Sequence, residues 1–324
     1  MSFARPAPLL VAVLLALTAV PAAAQTTGTA AAATPLPTPA QVPATEVIRT
    51  TDLVAEYFAA DVTRASPGAV IVLGGSEGGL AGSRGLARRL AAEGFAAIAV
   101  SYFGETGQSP KLNEVPIEPV DRALAWLTTR TEIHGPIAIL GVSKGAELAL
   151  LTASRNPAIK AVVAGVPSNV VWAGIDMAGG PVGSSWTSGG TPLPYASYDF
   201  SKGFTSIFNL YNNSLSGAPA DAEIPVEAIA GPILMISGEA DTLWPSSEMA
   251  RRVETRLRAR GFRYPVVNIA YPAAGHAAFG APVRTDAPGL QGALGVGGTI
   301  EGLVAARADG WPRVLAFLRD ALAH

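Results

Sequence analysis

The sequence predicts an α/β fold with an open, mostly parallel sheet flanked by helices, and three observations carry the prediction. Short apolar runs recur along the chain, helix-patterned segments lie between them, and one run ends on a serine enclosed by glycines, "GVSKGAE" at residues 141–147. The runs are "AVIVLGG" (69–75), "AAIAVSYF" (96–103), "PIAILGVS" (136–143), "IKAVVAGV" (159–166), "PILMISGE" (232–239) and "YPVVNIAYP" (264–272). They are continuous rather than alternating, as strands covered on both faces require, and strand–helix repetition implies parallel pairing through right-handed crossovers. Between them "SRGLARRLAAEG", "EPVDRALAWLTTR" and "SSEMARRVETRLRARG" carry apolar residues at helical spacing.

Ahead of these elements stands a different kind of segment. Arg5 precedes the apolar run "LLVAVLLALTAV" (Leu9 to Val20), and "PAAAQ" follows, with small residues at Ala22 and Ala24. That is the layout of a cleaved export signal over residues 1–24, and the run is short of the roughly 20 residues a membrane span needs. The mature chain is then expected to be exported, periplasmic or secreted. Residues 25–45, rich in Ala, Thr and Pro, read as a flexible linker, and the folded domain is expected over 46–324.

With 324 residues, 49% of them hydrophobic, the chain can bury a large core. A formal charge of −2 provides no basic surface for nucleic acid, and no Lys/Arg run suggests a polybasic membrane patch. The absence of cysteine excludes thiol catalysis, and with three histidines in all no metal site is expected. No cofactor is implied, and the expected partner is a small molecule. One stretch breaks the strand–helix rhythm: residues 169–230 are irregular and hold Trp172, Trp186, Tyr195, Tyr198, Phe200, Phe204, Phe208 and Tyr211. A cap or lid over an apolar pocket is expected there, with Trp172 as a substrate contact; Trp244, close after Asp241, is expected either to pack against the loop of His276 or to contact substrate.

Ligands of an open parallel sheet bind outside the carboxyl ends of its strands, which is where Ser143 falls. A Gly-x-Ser-x-Gly turn between strand and helix projects the serine hydroxyl from the sheet edge and puts free N–H groups of the helix start beside it. Such a hydroxyl needs a base. His134 precedes the serine and His324 is the last residue, which leaves His276 in "YPAAGHAAFG". A carboxylate must orient the imidazole; Asp241 follows a strand directly, Glu239 is its main rival, and Asp176, Asp199 and Asp221 lie in the irregular stretch. An oxyanion formed at Ser143 needs N–H donors, each worth about 2.7–4 kcal/mol. The backbone N–H of Lys144 is one candidate, and Gly75 or Ser76 in "GGSEGG" (74–79) supplies the other. The side chains of Lys144 and Glu147 read as polar residues of the first helical turn.

"PGAVIVLGGSEGGLAGSRGLARRLAAEGFAAIAVSYF", "EVPIEPVDRALAWL", "GPIAILGVSKGAELAL", "GPILMISGEADTLWPSSEMA" and "YPAAGHAAFG" together resemble the hydrolase domain shared by acyl-CoA thioesterases and bile acid-CoA:amino acid N-acyltransferase, of the dienelactone-hydrolase-like α/β-hydrolase superfamily. The resemblance runs from about Pro67 to the terminal helix "WPRVLAFLRDAL" and implies a Ser143, Asp241 and His276 triad. The transferase branch carries cysteine where this chain has Ser143, so the resemblance implies hydrolysis of an acyl thioester or ester. The animal members place a β-sandwich domain ahead of the hydrolase domain, and the stretch from Gln25 to Pro67 is too short for one. Export away from cytoplasmic acyl-CoA makes an exported carboxylesterase the competing expectation. An inactive binding protein on this fold would have lost a triad member, and none is lost.

Overall fold

The computed structural model describes residues 44–60, 65–176 and 178–323. The leader expected over 1–24 and nearly all of the linker expected over 25–45 lie outside the described residues, as does His324.

Every apolar run singled out above is a strand. In chain order the strands are β1 (Glu46–Arg49), β2 (Val54–Phe58), β3 (Ala69–Leu73), β4 (Ala96–Ser101), β5 (Val115–Pro116), β6 (Ile137–Val142), β7 (Ile159–Gly165), β8 (Trp186–Ser188), β9 (Thr191–Pro192), β10 (Ile233–Gly238) and β11 (Val266–Tyr271). The helices are α1 (Ala81–Ala92), α2 (Glu118–Thr128), α3 (Lys144–Arg155), α4 (Ile207–Ser216), α5 (Ser246–Ala259), the short α6 (Leu290–Ala293) and α7 (Ile300–Leu322). The main sheet has the order β1-β2-β4-β3-β6-β7-β10-β11. All pairings from β4 to β11 are parallel; β1 and β2 add an antiparallel edge.

Burial explains the composition of the strands. β3, β4 and β10 are wholly buried, while β11 at the sheet edge is half-exposed. One face packs on α2, α3 and α5 through residues such as Val120, Leu148 and Val253. The other packs on α1 and α7 through Leu90, Trp311, Val314 and Leu318. Helix α7 starts at Ile300, well ahead of the segment from Trp311 legible in sequence, because the Thr299 hydroxyl accepts the Gly302 N–H and caps it.

The aromatic stretch between β7 and β10 is not wholly irregular. It contains β8, β9 and the helix α4, whose cap is Ser206 accepting the Asn209 N–H. It is also knitted to the body: β8 pairs in parallel with β5, which comes from before α2, and Leu112 bridges Ile175.

Candidate active site

Three loops at the carboxyl ends of β6, β10 and β11 converge on one point. Ser143 directly follows β6 with φ 57° and ψ −122°, a region costly for any residue with a side chain. Its N–H is held by the Gly165 carbonyl at 2.9 Å, and the next residue of that strand end, Val166, is itself at φ 45° with its N–H on Ile236 at 2.7 Å. The strained serine is thus bonded to the residue just before a second strained position, Val166, which is in turn bonded to β10.

The glycines around Ser143 are there for contact. A Cβ on Gly141 would run into the Gly145 carbonyl, and one on Gly145 into the Gly74 carbonyl. Replacing Gly145 by alanine is expected to cost about 1–3 kcal/mol of stability through this overpacking, read as a lowered denaturation midpoint. An unchanged midpoint would show that the contact between α3 and the loop after β3 is not tight.

The side chains then meet in order. His276 Nε2 lies 2.9 Å from Ser143 Oγ, and His276 Nδ1 lies 2.8 Å from Asp241 Oδ2. Asp241 Oδ2 also accepts the Ser246 hydroxyl at 2.6 Å, and Oδ1 accepts the N–H groups of Leu243 and Trp244 at 2.9 and 3.2 Å. Ser143 is 8% and His276 9% exposed, so the constellation is nearly closed to solvent while still reachable. The rival carboxylate Glu239 is exposed, and the His134 N–H bonds Pro67 in the loop before β6, away from this end of the sheet.

The candidate oxyanion donors divide. The N–H of Lys144 is among those that a helix start leaves without an intrahelical acceptor. Gly75 lies against the serine, since a Cβ built on it would sit 3.4 Å from Ser143 Cβ. Its N–H, however, is engaged by the Glu77 carboxylate at 3.0 Å, a local turn contact that glycine spacing alone does not reveal. The Ser76 N–H has no intramolecular acceptor among the described residues. The loop itself is fixed by the buried Tyr102 hydroxyl, close to the Gly74 and Gly75 carbonyls at 2.8 and 2.6 Å.

Trp244 and Trp172 are fully buried and so do not line an open pocket. They belong to an aromatic chain: Trp244 packs edge-on against His276 with ring centroids 5.7 Å apart, the first of its two expected places, Tyr211 against Trp244 at 5.6 Å, and Trp172 against Tyr211 at 4.9 Å. A cleft of about 620 Å³ opens on the Asp241 side, between Ser206 and Phe208 of the insert and Glu239, Ala273 and Thr299 of the strand-end loops.

Lys144 and Glu147 depart most from expectation. They stand in the first turn of α3 as expected, but both lie wholly buried, at 1% and 0% exposure. Lys144 Nζ meets both carboxylate oxygens of Glu147, at 2.9 and 2.8 Å, and Ser185 Oγ at 2.8 Å. Burial pushes the ammonium below and the carboxyl above their ordinary values, and each partner's charge counters the other's shift. The insert folding over α3 buries them, an effect that no local pattern in the sequence encodes. Among the described residues no group of three His, Asp or Glu side chains is placed to hold a metal ion, and no helix is long and apolar enough to cross a membrane.

Acyl-coenzyme A thioesterase 6 of Mus musculus is 31% identical over 265 residues, covering 78% of this chain and 59% of the relative. Acyl-coenzyme A thioesterase 1 of Homo sapiens is 30% identical over 214 residues, covering 64% of this chain and 48% of the relative. The chain thus spans about half the length of these relatives. Among solved structures, a candidate dienelactone hydrolase from Klebsiella pneumoniae aligns with a TM-score of 0.52 at 21% identity over 82% of this chain and 91% of that one. An acylaminoacyl peptidase from Pyrococcus horikoshii aligns at 0.56 and 13% identity, over 86% of this chain and 41% of that one. At such identities the two structures speak for the fold, which is that of the α/β hydrolases. Residues 115–324 match the family described as BAAT / Acyl-CoA thioester hydrolase C terminal, and the chain belongs to that family.

Proposed function

We propose that the protein is a serine hydrolase that cleaves an acyl thioester or ester through Ser143, His276 and Asp241. The observation that carries the reading is the continuous pair of contacts, Ser143 Oγ to His276 Nε2 and His276 Nδ1 to Asp241 Oδ2, at a strained strand–helix turn. His276 takes the Ser143 proton on Nε2 as Oγ attacks the acyl carbonyl, and Asp241 holds Nδ1–H and stabilises the imidazolium. The tetrahedral oxyanion is received by the N–H of Lys144 and by that of Ser76. Gly75 joins them only if Glu77 releases it. Collapse breaks the bond to the leaving thiol or alcohol, which collects the proton from His276. Water, deprotonated by the same imidazole, then attacks the acyl-enzyme and frees the acid.

Family membership and the thioesterase relatives favour an acyl-CoA substrate. The leader-like segment over residues 1–24 favours export, and with it an oxygen ester as the second reading. Initial rates on acyl-CoAs and on simple carboxylic esters of matched acyl length separate the two. CoA thioesters are expected to be cleaved faster by at least an order of magnitude, equivalent to about 1.4 kcal/mol in the barrier. The reverse ranking would make the chain an esterase with the family's triad. No turnover of either, with no labelling of Ser143 by a fluorophosphonate, would remove the hydrolase reading.

A further inference from the structure

The mechanism above uses the backbone of Lys144 and leaves its side chain, and all of Glu147, without a task. We infer that Lys144 and Glu147 are positioning residues: a buried ion pair that fixes the peptide after Ser143 and ties the inner part of the insert to the nucleophile helix. The inference rests on the reading of Ser143 as the nucleophile.

The network is saturated at both ends. The two Glu147 oxygens and Ser185 Oγ take up the hydrogens of the Lys144 ammonium. Glu147 Oε1 further accepts the Trp186 indole N–H at 2.7 Å and the Trp172 backbone N–H at 3.1 Å, and the Ser185 hydroxyl donates to the Ala173 carbonyl at 2.9 Å. Residues 172, 173, 185 and 186 all belong to the insert, so Lys144 is gripped twice: at its N–H end by the turn at Ser143, and at its ammonium by the insert. A buried ion pair is a poor stabiliser compared with apolar residues of the same volume, because desolvation offsets the attraction. What such a pair does supply, once every donor and acceptor is used, is a fixed geometry. That geometry is imposed one residue from the nucleophile, on the peptide whose N–H must face the oxyanion. Trp172, Ala173, Ser185 and Trp186 are therefore part of the catalytic frame, and motion of the cap is confined to other parts of the insert, such as the stretch where Phe200 and Phe204 are exposed.

The test is the double variant Lys144→Met/Glu147→Gln, which leaves no unpaired buried charge and retains an acceptor for the Trp186 and Trp172 donors. It is expected to unfold near the wild-type temperature and to keep a wild-type KM. Its kcat should fall about 10- to 100-fold, as for a displaced catalytic group. Fluorophosphonate labelling of Ser143 should slow in the same proportion, because the phosphyl oxygen draws on the same donors. Labelling also does not depend on which ester is the substrate. A folded double variant that labels at the wild-type rate overturns the inference. Should it fail to fold, Trp186→Phe removes one donor to Glu147 and no charge; severalfold slower labelling supports the inference and an unchanged rate overturns it. Absence of labelling in the wild-type chain would remove the nucleophile itself, and the inference with it.

Discussion

Ser143→Ala is expected to lower kcat by about a millionfold on whichever acyl substrate the chain turns over, with the unfolding temperature within a few degrees of wild type. Among the described residues the hydroxyl removed is the only hydrogen-bond partner of His276 Nε2, so none of them replaces it by a small shift. The geometry that brings it there does not depend on the hydroxyl. The turn around residue 143 is closed by the tight contacts of Gly141 and Gly145, and its N–H remains on Gly165. A residual rate of about 10³–10⁴ over water is expected from the oxyanion donors and substrate binding alone. A variant retaining a tenth of wild-type activity would show that another group carries the acyl transfer.

Asp241→Asn is expected to lower kcat by about 10⁴-fold while leaving the fold intact. The environment of the carboxylate dictates how an amide would sit. Oδ1 receives the N–H groups of Leu243 and Trp244, so the amide oxygen must take that side. The NH₂ group then faces His276 Nδ1 and Ser246, whose hydroxyl can turn round to accept. An amide N–H pointing at Nδ1 forces the imidazole proton onto Nε2, where it is directed at Ser143 Oγ in place of the lone pair the serine needs. The loss is therefore one of tautomer rather than of position, and it should appear in kcat with KM little changed. Full activity in this variant would point to a different carboxylate.

Much of this was legible in the sequence because the information is local. A strand buried on both faces must be mainly apolar: β3 and β6 are wholly so, β4 and β10 depart only at Ser101 and Ser237, and β7 only at the exposed Lys160. A serine held at positive φ needs glycines around it, and the chain order serine, aspartate, histidine left few alternatives. What escaped depends on distant partners. β2, "VAEYF", is buried along its whole length but carries Glu56, and that charge becomes tolerable only through Arg84 of α1, whose Nε and an Nη meet the carboxylate at 2.6 and 2.8 Å. Helix α4, "IFNLYNNSLS", has a weak helix-forming composition and is secured by its Ser206 cap and by packing of Tyr211 and Leu215 among the insert aromatics. The Lys144–Glu147 pair has the spacing of a solvated helix face, and only the insert, more than twenty residues away in sequence, turns that face into an interior.

The insert forms the link between β7 and β10, two strands whose pairing, Ile233 with Val162 through Ile236 with Gly165, is set by the sheet alone. Ser143, Asp241 and His276 hang from strands whose register is independent of what that link contains. The link beyond Trp186 can therefore differ in length or apolar surface without moving Ser143, Asp241 or His276. The portion bonded to α3 lacks that freedom, because it meets Lys144 and Glu147 in the first helical turn after Ser143. A change of lining there would alter what reaches Ser143 and leave the contacts among Ser143, His276 and Asp241 as they are, where the link alone is altered.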